Sequence, residues 1–99
     1  MKYTLVRNIY FHSPDAGLVS KYVSKEVESD VNPLVGFEFE DSAWHRNDST
    51  IAENISIDTE TGKCTVNLNS LDVGSKSDVQ KIFDIAVNYH GWSDWLKNS

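Results

Sequence analysis

Ser13-Pro14-Asp15-Ala16-Gly17-Leu18-Val19-Ser20-Lys21-Tyr22-Val23-Ser24-Lys25-Glu26-Val27-Glu28-Ser29-Asp30 is the stretch on which the fold turns. Serine accepts hydrogen bonds from the first free N–H groups of a helix, proline tolerates the first helical position, and an early acid suits the helix dipole. Val19, Val23 and Val27, with Tyr22 beside them, recur four residues apart. Asn32-Pro33 then ends the run, because the residue before proline avoids the α region. The pattern predicts a helix over about 14–30. Gly17 and the valines lower its intrinsic propensity, so packing must hold it.

Upstream, Tyr3 to Phe11 reads as a strand, with Tyr3, Leu5, Ile9 and Phe11 on one parity and Val6 and Tyr10 on the other. Arg7 interrupts the apolar parity and marks a bulge or a strand end. Downstream, Val35, Phe37 and Phe39 alternate with Gly36, Glu38 and Glu40, the pattern of a half-buried strand with its acidic side outward. Residues 42–50 form a polar loop holding Trp44, His45 and Arg46.

The strongest local signal is a hairpin. Ile55 and Ile57 precede Asp58-Thr59-Glu60-Thr61-Gly62-Lys63, and Cys64, Val66 and Leu68 follow. A turn over 59–62 with Gly62 in the left-handed region pairs residue 57 with 64 and residue 55 with 66. Ser75 and Asp78 then resemble a capping box, Val79, Ile82, Phe83 and Ala86 recur at helical spacing, and Gly91 stands at the helix end. The tail around Trp95 and Leu96 is expected to fold back on the body. The fold class expected is α+β: a two-layer sandwich of order β-α-β-β-β-α, a four-stranded mixed sheet carrying two helices on one face.

The chain has 99 residues, enough for a single domain. Three Trp, four Tyr and four Phe exclude a disordered acidic tail. No apolar run approaches the roughly 18 residues of a membrane span. Arg7 and Asn8 break the N-terminal apolar stretch before it reaches signal-peptide length. Cys64 is the lone cysteine, which points to a reducing, cytoplasmic setting. The triplets Asn47-Asp48-Ser49 and Asn54-Ile55-Ser56 carry no weight as glycosylation sites without a secretion signal.

The net charge of −6 sits in the middle of the chain. Between residues 26 and 60, ten acids face Arg46 alone. Direct binding to nucleic acid needs clustered Lys and Arg, and here they are few and dispersed. A one-sign acidic surface does speed encounter with a basic partner. Its bland counterpart is a solvated face that keeps a small protein soluble.

Catalytic and metal motifs are sparse. His12, His45, His90 and Cys64 show no zinc-ligand spacing, no calcium loop is complete, and no cofactor fingerprint occurs. Cys64, mid-strand on an apolar face, reads as packing. The function expected is therefore binding: a small acidic inhibitor of a basic, nucleic-acid-binding protein, in the manner of an immunity protein or a phage anti-defence protein. Glu38, Glu40 and Asp41 would make charge contacts, Asp58 and Glu60 would extend the patch, and Trp44 would be the anchor. Two other classes stand beside this one: a small enzyme using His12 and His45 as acid and base, and a homo-oligomeric structural subunit.

Overall fold

A computed structural model describes residues 1–98 of the chain. Its centre is a long antiparallel hairpin of β1 (Lys2–Ser13) and β2 (Gly17–Glu28), paired without interruption from Lys2↔Glu28 to Ser13↔Gly17. The helix expected over 14–30 is thus a strand. A spacing of four is a multiple of two, so Val19, Val23 and Val27 line one strand face as readily as one helix face. Ser13 does cap, but it caps a turn: its Oγ accepts the Ala16 N–H at 2.9 Å. Gly17, at φ 71°, supplies the left-handed residue that closes the hairpin.

The chain then runs irregularly through residues 29–51 before β3 (Ala52–Ile57) and β4 (Cys64–Leu68). This second hairpin has the expected register, Ile57↔Cys64 and Ile55↔Val66, with Gly62 at φ 75°. A bulge separates Ala52 from Asn54. Beyond it come β5 (Leu71–Asp72), α1 (Lys76–Tyr89), β6 (Ser93–Asp94) and the single turn α2 (Trp95–Asn98).

Among the described residues these strands make one six-stranded mixed sheet of order β3-β4-β1-β2-β6, with β5 extending the β1 edge past β4. β4 runs parallel to β1, Leu5 opposite Val66, and all the other pairs save β1–β5 are antiparallel. The four-stranded sheet with two covering helices is therefore overturned. One helix of full length covers the sheet, and the loop 29–51 does the work expected of the other.

α1 begins at the expected cap, where Ser75 accepts the Asp78 N–H at 3.2 Å. It buries Val79, Phe83 and Ala86 against β1 and β2. Gly91, at φ 76°, turns the chain so that the Trp92 N–H returns to the Ala86 carbonyl. The core face of the sheet carries Tyr3, Leu5 and Ile9 from β1, Val23 from β2, and Cys64, Val66 and Leu68 from β4. Lys21 and Lys25 lie on that face too. Their stems run along it and their amines sit 4.8 Å from the Phe83 ring centre and 5.5 Å from that of Trp92. Trp95 is half-buried beside Lys63, whereas Leu96 stays largely exposed.

The segment read as the strand Val35–Phe39 is an isolated bridge, Glu38↔Ile51, with Gly36, Phe37 and Phe39 bonded to residues 50–52. Phe39 alone of its apolar set reaches the core, edge-on to Tyr3 at 6.1 Å. Val35 and Phe37 face outward.

Candidate functional site

Arg7 is the key to the loop. It keeps the parity of Leu5 and Ile9, with no bulge, and so points into the core face, where it is 1% exposed. A buried guanidinium must be paired and fully hydrogen-bonded. Asp48 supplies both oxygens, at 2.7 Å to Nη1 and 3.0 Å to Nη2. The Asn69 carbonyl accepts from Nε at 2.9 Å. Trp44 lies over the guanidinium, its ring centre 4.7 Å from Cζ.

A second carboxylate ties down the other flank. Asp41 accepts from Lys25 Nζ at 2.6 Å, from Trp92 Nε1 at 3.1 Å and from the Ala43 N–H at 2.9 Å. Burial alone would raise its pKa; the Lys25 hydrogen bond, the Ala43 and Trp92 donors and the Lys25 charge outweigh it and hold the carboxyl below its ordinary value. Lys25 also donates to the His90 carbonyl at 2.9 Å, and Ser42 Oγ lies 2.9 Å from His90 Nδ1. Trp44 and Trp92 meet at 5.2 Å. The order through this corner is Arg7, Trp44, Trp92, Lys25: two rings between two cations, with an aspartate on each cation.

This bracing shapes an open concavity of about 490 Å³ lined by Glu38, Phe39, Glu40, Asp41, Ser42, Trp44, His45, Arg46, Asp48 and Thr50. Four of the expected site residues, Glu38, Glu40, Asp41 and Trp44, thus meet in one place. They are not equivalent. Asp41 is engaged with Lys25, and Trp44 is 8% exposed, a wall of the cavity rather than a projecting anchor. Its Nε1 is buried with no acceptor among the described residues. Glu38 and Glu40 are exposed, and among the described residues no ion pair or hydrogen bond engages their carboxylates.

Asp58 and Glu60 lie elsewhere. Ile51 and Asp58 bracket β3, so the hairpin tip stands roughly 20 Å from Glu38 at strand rise. There Asp58 caps its own turn, accepting the Glu60 N–H at 2.9 Å and the Thr61 N–H at 3.4 Å, and those bonds lower its pKa. His12 and His45 do not meet. His12 lies near the end of β1 on the face away from Arg7, five residues further along, while His45 lines the concavity on the core side.

Sequence reasoning missed Arg7, Lys25, Asp48 and Trp92. The signal available was Arg7 itself, a charge standing at an apolar position of an otherwise regular strand. No family model matches the chain, and no curated protein or solved structure is significantly similar to it.

Proposed function

We propose that this protein is a stoichiometric binder of a basic protein surface, an inhibitor or antagonist acting in the cytoplasm, with the loop 29–51 as its working face. The observation that carries the reading is the division of labour among the loop's acids. Asp41 and Asp48 are spent on Lys25 and Arg7, and by fixing the loop they hold Glu38 and Glu40 outward with their charge unneutralised. A loop backbone fixed in advance lowers the ordering cost of association, and the unneutralised charge speeds encounter with a basic surface. A loop this long with little regular structure is in most domains a functional one. Asp58 and Glu60 form a second acidic patch, within the width of a standard interface from the first.

The test is capture from lysate of the source organism, or of its host or rival, at low and high salt. Wild type is compared with Glu38→Lys/Glu40→Lys and with Asp58→Lys/Glu60→Lys. The reading requires a basic protein held in one-to-one ratio, released by salt and lost with the first variant. Retention of the same protein by the first variant removes Glu38 and Glu40 from the site. Absence of any such protein leaves the acids as a solvated face.

A further inference from the structure

The loop that presents Glu38 and Glu40 also presents apolar side chains that stand exposed among the described residues. Of the eleven large hydrophobic residues exposed among the described residues, five fall between residues 31 and 51: Val31, Leu34, Val35, Phe37 and Ile51. Leu34 is 59% and Val35 65% exposed. A single exposed leucine needs no explanation, but a cluster on one loop, rimmed by charge, marks a contact surface.

The backbone beneath this cluster is ordered. Leu34 and Phe37 close a turn, the Phe37 N–H donating to the Leu34 carbonyl at 3.1 Å. Gly36, at φ 93°, sits within it, and its N–H donates to the Ala52 carbonyl at 2.8 Å. Ala52 returns a bond from its own N–H to the Phe37 carbonyl at 2.9 Å, and Ala52 is buried in the core. The turn is therefore stapled to β3, and its apolar side chains are held out by structure rather than by disorder. Glu38 bridges to Ile51 and so shares its face, and Glu40 follows two residues on, so both acids fringe the same ridge. Arg46, which is exposed, is the one arginine or lysine lining the concavity among the described residues.

We infer that Leu34 and Val35 of the turn, with Ile51 beside Glu38, form the anchoring ridge of the interface, and that the occupant is a cationic amphipathic protein segment whose apolar stripe meets the ridge while its lysines or arginines meet Glu38 and Glu40. The inference rests on the binding function proposed above and adds the anchor that Trp44, being buried, does not provide. A desolvated apolar centre within a charged rim is the arrangement in which binding energy concentrates. Charge selects among occupants. A second copy would set these acids against their own equivalents, and an anionic membrane surface would repel them.

The experiment uses three synthetic 18-residue peptides titrated into the ¹⁵N-labelled protein: a Leu/Lys amphipathic helix, a Lys/Ser peptide of equal charge, and a Leu/Glu helix. The expected result is amide shift changes centred on residues 34–40 and 51–53 with Leu/Lys, binding at least tenfold weaker with Lys/Ser, and none with Leu/Glu. Leu34→Ser/Val35→Ser, at two exposed positions that leave the core intact, should weaken Leu/Lys binding by at least tenfold. Equal binding of Lys/Ser and Leu/Lys at Glu38 and Glu40 overturns the apolar anchor while leaving the acidic docking surface standing. Shifts centred on Asp58 and Glu60, or none with any peptide, overturn the inference. Leu/Glu binding equal to Leu/Lys overturns the charge selection, and self-association of the free protein through residues 34–37 assigns the ridge to a second copy instead.

Discussion

Arg7 and Asp48, forty-one residues apart in the chain, meet in a two-pronged ion pair at 2.7 and 3.0 Å on the core face of the sheet. The pair is the point at which an irregular loop is fastened to the central strand. Arg7 is buried and Asp48 partly reaches solvent, so the two partners do not respond alike to substitution.

Asp48→Ala strands a guanidinium in the core, and removing one member of a buried pair costs about 3 kcal/mol. Urea denaturation should show that loss. Arg7→Met/Asp48→Ala, which removes both charges and keeps a long apolar stem, should recover most of it. A double variant no more stable than Asp48→Ala would mean that the pair contributes specific stability beyond mutual neutralisation.

Trp44→Ala deletes the ring that lies between Arg7 and Trp92 and should destabilise the fold by about 3 kcal/mol, the usual scale for an aromatic removed from a core. Chemical denaturation of the free protein measures this directly. A loss under 1 kcal/mol would show that Trp44 is dispensable to the loop, and would return it to consideration as a partner contact.

Acid should loosen the same corner through Asp41. Its folded pKa lies below the ordinary value of 3.8, so its contribution to stability is full above that value and is lost as pH falls through the lower folded one. The denaturation midpoint should therefore drop as pH is lowered below about 4. In Asp41→Asn the drop should be shallower, the remainder coming from Asp58, which is shifted the same way. An unchanged slope in that variant would remove Asp41 as its source.

Gly62→Ala tests the hairpin turn alone. A Cβ at Gly62 meets nothing within 4 Å, so its cost is confined to the left-handed backbone, about 1 kcal/mol. Gly62→Asn should cost less, since asparagine tolerates that region better. Thermal unfolding of both variants checks the order, and equal or inverted losses would contradict it.

What the sequence could reveal followed from how far apart the interacting residues lie. The Ile55–Val66 hairpin and the cap at Ser75 depend on neighbours within a dozen residues, and both are as expected. The hairpin of β1 and β2 is equally local but was masked by coincidence. Ser13 accepts a bond from the residue three ahead, which a helix cap and a tight turn both require, and valines four apart suit either period. Lys21 and Lys25 completed the disguise. Lysines suit a solvated helix side as well as a strand, yet these two lie against the rings of Phe83 and Trp92. In the site, Glu38, Glu40, Asp41 and Trp44 are near in sequence and could be grouped by reading. The assignment of Asp41 to Lys25 and of Trp44 to Arg7 depends on tertiary packing, which no local pattern encodes.

The position of β1 between β2 and β4 has a consequence for how the chain reaches this structure. On the β2 side, β1 finds its partner through a tight turn as soon as Glu28 is made. On the other side, Thr4 must wait for Thr65. At typical translation rates of ~5–20 residues per second, the first strand spends seconds with one row of its backbone N–H and C=O groups unclaimed. Closing that gap is a long-range parallel pairing, the slowest kind of contact to form. Until β4 docks beside β1, the nascent hairpin offers an open edge to any extended segment nearby.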